Sequence, residues 1–329
     1  FGLFDNRLTG SFDYYQRYTY DMVGPAPTLP GILGASAPKI NNADMKSYGW
    51  EMELSWRDRI EDFNYGVRFT LADGQRKVLK YPNESGDIYS WYNNKLDGTI
   101  WGYTTVGIAQ TQEEMNAHLA NNKPNWGSNW GAGDIMYADL NGDGEVTSGS
   151  KTLNDHGDLK VIGNSYARYN FGFTVDGSWR GLDFSIFLQG TMKRDYWLDG
   201  PYFWGASGDE WQSACFTEHL DYWTPEHTNA YYPKPYFGNI KKNQEVQSGY
   251  LQNAAYLRVK NVQVGYTLPK SWTKKAAMES VRFYVSGDNL LTWTGISSIF
   301  DPETLGGDWG PGKLYPLQRT LSVGVNVNF

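Results

Sequence analysis

The chain closes on Leu321-Ser322-Val323-Gly324-Val325-Asn326-Val327-Asn328-Phe329, apolar at every odd position and small or polar at every even one. Successive side chains of a β-strand point to opposite faces, so this pattern predicts a strand with one apolar and one polar face. The same alternation recurs upstream and predicts eight strands, at about 7–20, 45–57, 62–77, 166–178, 181–194, 254–268, 280–293 and 316–329. In the second, Tyr48, Trp50, Met52, Leu54 and Trp56 share a face opposite Gly49, Glu51, Glu53, Ser55 and Arg57. In the third, Phe63, Tyr65, Val67, Phe69 and Leu71 oppose Asn64, Gly66, Arg68 and Thr70. Strands of about 12 to 15 residues exceed the five or six typical of globular sheets and suit tilted membrane-crossing strands of about 9–11 residues with overhang.

The predicted connections alternate in length. Roughly 25 residues, a turn at Asp58-Arg59-Ile60-Glu61, then about 90 residues follow in order. A turn at Trp179-Arg180-Gly181, about 60 residues, a short link at 269–279 and about 22 residues complete the series. All long connections then fall at one end of the sheet, the asymmetry of outer-membrane barrels. On that reading Glu51, Glu53 and Arg68 face a watery lumen; in a sandwich they would line a solvated face. Two stretches, 84–165 and 195–252, stand out as long loops.

Composition narrows the field. With 16% aromatic residues and 37 glycines in 329 residues, the chain is too aromatic for disorder. Its mean hydropathy of −0.57 and lack of an 18-residue apolar run exclude a helical membrane protein, but not a barrel, whose strands face lipid only at alternate residues. A net charge of −7 argues against nucleic acid as a partner. The single cysteine, Cys215, excludes an intrachain disulfide framework and cysteine-based zinc clusters. The opening Phe-Gly-Leu-Phe, without an initiator methionine, reads as a mature or cut product.

Two clusters carry candidate chemistry. Asp139, Asn141, Asp143 and Gly144, with the Glu145 carbonyl and Thr147 following, have the opening pattern of a calcium loop. Alternate oxygen donors and a glycine at the sixth position wrap a hard cation in one turn, although the twelfth position is Ser150, where an acid belongs. The alternative is a plain turn rich in Asp, Asn and Gly. Nine of the fourteen tryptophans fall in the long loops. Their flat apolar faces suit stacking on sugar rings as well as loop packing. Trp126 and Trp130 beside Asn125 and Asn129, and Tyr202, Phe203 and Trp204 with nearby Asp209, are the candidate ligand contacts. Thr111 is placed to cap a short helix. The histidines His118, His156, His219 and His227 are scattered without metal-ligand spacing, and Cys215 has no activating partner, so no enzyme is predicted.

Several motifs resemble one family in order along the chain. They are Gly24-Pro25-Ala26-Pro27-Thr28-Leu29-Pro30, Asn42-Ala43-Asp44-Met45-Lys46-Ser47-Tyr48-Gly49-Trp50-Glu51, Asp139-Leu140-Asn141-Gly142-Asp143-Gly144 with Val161-Ile162-Gly163-Asn164, and Tyr256-Leu257-Arg258-Val259-Lys260-Asn261-Val262. Gly265-Tyr266-Thr267-Leu268-Pro269 and Tyr284-Val285-Ser286-Gly287-Asp288-Asn289-Leu290 extend the series. Together they are similar to the C-terminal part of the SusC/RagA-type TonB-dependent transporters of Bacteroidetes.

The resemblance implies an all-β fold: an antiparallel transmembrane segment of about eight strands closing a 22-stranded plugged barrel, with long extracellular loops. The terminal aromatic Phe329 and a periplasmic C-terminus in the bacterial outer membrane agree with that expectation. So does the absence of a plug and of a TonB-interacting segment from this stretch. The implied function is TonB-dependent import of an oligosaccharide, or a peptide, with a SusD-like surface lipoprotein as lid, in a dimer of transporter–lipoprotein pairs. The resemblance also points to Asp158 as the closing acid of a structural Ca²⁺ site, beyond an inserted run 147–157. The rival readings are a self-contained eight-stranded barrel acting as adhesin or structural protein, and a secreted glycan-binding or glycoside-hydrolysing β-protein.

Overall fold

The computed structural model describes residues 1–25, 32, 34, 38–205, 215–236, 242–306, 310 and 312–329. A two-residue strand β1 (Gly2–Leu3) precedes three long strands, β2 (Leu8–Gly24), β3 (Ile40–Ile60) and β4 (Phe63–Lys80). The connection 81–167 carries β5 (Thr99–Gly102), β6 (Thr105–Ile108), helix α1 (Gln112–Leu119), β7 (Lys123–Pro124), β8 (Ile135–Tyr137), β9 (Glu145–Val146) and β10 (Lys160–Asn164). Strands β11 (Arg168–Trp179) and β12 (Leu182–Lys193) follow. The connection 194–251 then carries β13 (Asp195–Tyr196), helix α2 (Pro201–Trp204) and a 3₁₀ turn, Thr217–Leu220. The chain finishes with β14 (Gln252–Thr267), helix α3 (Lys270–Thr273), β15 (Ser280–Gly295) and β16 (Thr320–Asn328).

The long strands form one antiparallel meander in the order β1-β2-β3-β4-β11-β12-β14-β15-β16, with β13 added beside β14. Their registers bring the apolar positions to a common face. Phe12 lies opposite Met52, Leu54 opposite Phe69, and Phe69 opposite Phe173. The row continues as Phe173 opposite Leu188, Ile186 opposite Val262, Val264 opposite Val285, and Val285 opposite Val323. Cross-strand contacts of this kind hold a sheet together, and a one-residue slip would turn the whole set to the other face. The opposite face is tied by polar pairs: Arg282 Nε donates to Asp183 Oδ1 at 2.9 Å and Asn261 Nδ2 to Asp288 Oδ1 at 2.7 Å.

All eight long strands of the sequence reading are present, yet they do not make the expected barrel. The sheet is open. The β1–β2 edge and the β16 edge are its two ends, and neither pairs with the other. This corrects the expectation of a transmembrane β-barrel segment, and with it a barrel wall, a lumen lined by Glu51, Glu53 and Arg68, and an outer-membrane placement with extracellular loops and a periplasmic C-terminus. Arg68 and Glu53 instead form a 3.6 Å pair, both half-exposed, on one face of an open sheet. The physical reason is that alternation fixes which face a side chain takes, whereas closure depends on strand number and shear, which no single strand encodes. Among the described residues no helix is long and apolar enough to cross a membrane.

The packed core does not lie on the sheet. Phe12, Tyr14, Val285, Leu321 and Val323 on the strands are all more than half exposed. Apart from Ala254 of β14, the main buried cluster consists instead of residues from the three long connections: Ile88, Tyr103, Ile135, Tyr137, Val146 and Leu159 from the first, Leu198, Phe203, Trp204, Tyr232 and Tyr250 from the second, and Ile296, Phe300 and Leu305 from 296–319. Each large side chain so buried contributes about 1.5–3 kcal/mol.

Candidate functional site: the interlocked loop module

The three long connections all leave the same end of the meander and fold into one module. Within the first, β5 pairs with β10, β6 with β8, and β7 with β9. Helix α1 starts as predicted at Thr111, whose hydroxyl accepts from the Glu114 N–H at 3.1 Å, while the Glu114 carboxylate accepts from the Gln110 N–H at 2.6 Å. One of the four orphan donors at the helix start, the Glu114 N–H, is thereby satisfied, and the second bond ties down the residue before the cap. Met115 anchors the helix in a small pocket with Ala109 and Met136.

The first and second connections are joined by a buried ion pair. Lys242 Nζ lies 2.6 Å from Asp134 Oδ2, and neither side chain has any exposed surface. Such a pair persists only with its remaining valences filled, and here they are. Lys242 also donates to the Asn129 carbonyl at 2.6 Å and sits 4.2 Å from the Tyr236 ring centroid. Asp134 accepts from Gly131 N, Asn243 Nδ2 and the Tyr236 hydroxyl. Around it, Asn243 Oδ1 accepts from Ile135 N at 3.0 Å, and Gln247 Nε2 donates to the Tyr137 hydroxyl at 3.0 Å. Burial pushes the Tyr137 phenol well above its ordinary value, so it remains a protonated donor, directed to the Lys242 carbonyl. The third connection is tied to β14 through Arg258, 2.8 Å from both Asp301 and Glu303.

The aromatic candidates divide by burial. Phe203 and Trp204 lie inside the core, Phe203 against Tyr232 and Phe300, Trp204 against Tyr250 at 4.9 Å. Tyr202, Trp126 and Trp130 are partly buried at its margin; Trp126 stacks on Tyr103 at 4.7 Å, and Trp130 meets Tyr137 edge-on at 6.1 Å. Asp209, Glu210, Trp211 and Trp309 lie outside the described residues, as does most of the Gly24–Pro30 motif. Of the histidines, His219 serves the scaffold. His219 Nδ1 accepts from Phe216 N, so its Nε2 carries the proton toward the carbonyls of Tyr202 and Phe203, each 3.1 Å away.

The Asp139–Thr147 turn is built from carboxylates accepting backbone N–H groups. Asp139 Oδ1 accepts from Asn141 N and Gly142 N, and its Oδ2 from Gly144 N at 2.8 Å. Asn141 Oδ1 accepts from Asp143 N, and Asp143 Oδ1 from Glu145 N. Gly142 and Gly144 hold φ of 82° and 89°, a region open to glycine at little cost. Asp158, fully buried, is brought back to this turn because the run 147–157 closes on itself, the Asp158 N–H donating to the Thr147 carbonyl. Its carboxylate accepts from Leu140 N and Thr147 N at 2.7 Å each and contacts Asp139. Hydrogen bonds from Gly144 and Gly142 hold the Asp139 carboxyl below its ordinary range.

No family model matches the chain. Known proteins do. The chain is 28% identical over 357 residues to TonB-dependent receptor P3 of Formosa agariphila, covering 99% of this chain and 33% of that one. It is 23% identical over 344 residues to TonB-dependent receptor SusC of Bacteroides thetaiotaomicron, covering 100% of this chain and 31% of that one. Its fold matches the RagAB peptide importer in the open-open state with a TM-score of 0.73 at 23% identity, over 100% of this chain and 33% of that one. The chain is thus similar along its whole length to one section of these TonB-dependent receptors, and its fold is that of a section of the RagAB importer. The curated relatives are TonB-dependent receptors, which agrees with the expectation that the chain is not an enzyme. The chain spans about a third of the length of the curated relatives it matches.

Proposed function

We propose that this chain is the C-terminal section of a SusC/RagA-type receptor and that its loop module is a recognition surface for cargo and for a SusD-like partner lipoprotein. The observation that carries the reading is likeness running through 99–100% of the chain while taking about a third of each relative. The interlocked build of the module supports it: rings already fixed by buried polar pairs lose little freedom when a ligand arrives. Trp126, Trp130 and Tyr202 keep partly open ring surface for contact, with Phe203 and Trp204 as the packing behind them. Trp-rich loops suit an oligosaccharide. The description of RagAB as a peptide importer supports peptide cargo as the second reading.

A structural Ca²⁺ belongs to the same reading. Asp139, Asn141, Asp143 and Asp158 supply side-chain oxygens and Glu145 a carbonyl, the alternating oxygen set that suits a hard divalent cation, and the Asp158 carboxyl touches that of Asp139. The ion would order the module by tying the 139–147 turn to residue 158.

The test is affinity purification of the tagged native receptor, with mass spectrometry of its companions and retention of labelled oligosaccharides and peptides. A SusD-like lipoprotein in matching yield, with one cargo class retained by the pair, is expected. Receptor recovered alone and retaining neither class contradicts the proposal.

A further inference from the structure

Beside the buried Asp134–Lys242 pair a cleft of about 550 Å³ opens between the first and second connections. That volume falls within the range of small-ligand sites. The first connection contributes Gln112, Asn129 and the Gly131–Ala132 backbone; the second contributes Trp223, Tyr222, Lys234 and Tyr236. Of these lining residues the sequence reading named only Asn129 beside its candidate ligand contacts.

The cleft is a built feature. Trp223 is buried, and its indole N–H donates to Gln110 Oε1 at 3.1 Å. It packs so closely on Gly133 that a Cβ there would collide with the indole. The Lys234 N–H donates to the Gly133 carbonyl at 2.8 Å, which fixes the segment carrying the lysine. The floor is firm because the Tyr236 hydroxyl donates to Asp134. At the rim Tyr222 and Lys234 are exposed.

Its electrostatics run against those of the whole. The chain carries 36 acidic and 29 basic side chains, yet no carboxylate lines this cleft and Lys234 does. Lys234 has no ion-pair partner among the described residues, and its ammonium rests 5.4 Å from the Tyr236 ring centroid. Lys242, on the same ring, is neutralised by Asp134. The accessible charge is therefore a single ammonium beside aromatic walls, with Gln112 and Asn129 also in the lining.

We infer that this cleft binds a carboxylate-bearing ligand segment, its anion on Lys234 and its ring or flat body against Tyr222, Trp223 and Tyr236. The inference rests on the reading of the loop module as a recognition surface. A uronic-acid sugar and a peptide C-terminus share this chemistry.

The experiment is equilibrium binding to the purified full-length receptor, followed by tryptophan fluorescence. The probes are trigalacturonate, neutral maltotriose, a tyrosyl tripeptide with a free C-terminus, and the same tripeptide amidated. The expected result is tighter binding of one acid than of its neutral counterpart. Lys234→Gln should weaken that acid about tenfold, the effect of one charge-assisted contact, and leave the neutral probe unchanged. Tyr222→Ala should weaken the acid as well. Both residues are exposed, so each variant should melt like the parent. Which acid binds distinguishes sugar from peptide. Equal binding of acid and neutral forms, indifference to Lys234→Gln, or no binding of any probe overturns the inference. None of these outcomes bears on the companions found in the affinity purification, so the two readings fail separately.

Discussion

The residue that most rewards substitution is Lys242. Removing one member of a buried, fully bonded ion pair strands the other charge, at about 3–5 kcal/mol. Lys242→Met or Asp134→Asn should each lower the stability of the loop module by that order in chemical denaturation. Replacing both with apolar residues should recover much of the loss, and single variants within about 0.5 kcal/mol of the parent would show that the pair bears no weight. Acid sensitivity has a defined sign. Hydrogen bonds from Gly144 to Asp139, from Ser150 to Asp155 and from Ser90 to Asp87 hold these carboxyls below their ordinary values. Their stabilisation is present above about pH 4 and is lost as pH falls through the depressed values. Amide exchange at 85–158 should therefore quicken below about pH 4 and stay level between pH 5 and 7; exchange that does not change on acidification contradicts this. At this scale the turn at 139–145 was legible because its donors are neighbours in sequence. The Asp134–Lys242 pair was not: its partners lie more than a hundred residues apart, and a lysine that will be buried looks like any other. Nor could an aromatic cluster disclose that Phe203 and Trp204 would be core while Tyr202 stayed at the margin.

Among the elements, the long strands were legible and the short ones were not. Alternation over a dozen residues names a strand unaided, and tight turns at Glu61 and Arg180, both at positive φ, bound the hairpins as read. Strands such as β7, β8 and β9 are two or three residues long and exist through partners elsewhere in the module. Two elements can be tested. Thr111→Ala removes the cap of α1 and should cost about 1 kcal/mol. Gly133 holds φ of 87° where the first connection meets Trp223 and Lys234. Gly133→Ala should cost at least about 2 kcal/mol, from left-handed strain and from contact with the indole. Thermal melts of the two variants in parallel check both, and the reverse ranking would contradict the account of the loop junction. The Ca²⁺ proposal belongs to this scale too. Saturating Ca²⁺ should raise the melting midpoint of the receptor, and Asp158→Asn should abolish the rise; no shift with chelator removes the ion from the account.

At the scale of the whole molecule the division of labour is unusual for a chain of this length. The sheet supplies register and direction, while burial is concentrated in the connections at one end. That placement, not a closed barrel, is what the described residues form. The apolar band from Phe12 through Phe173 to Val323 was legible in the sequence. Whether such a band closes on itself was not, because closure is a property of both edges together. The reading as a section of a longer SusC/RagA-type receptor is the central claim, and the intact mass of the native polypeptide tests it most directly. Since the chain spans about a third of its relatives, the account predicts a mass about three times 37.3 kDa. A native species of 37.3 kDa would contradict it.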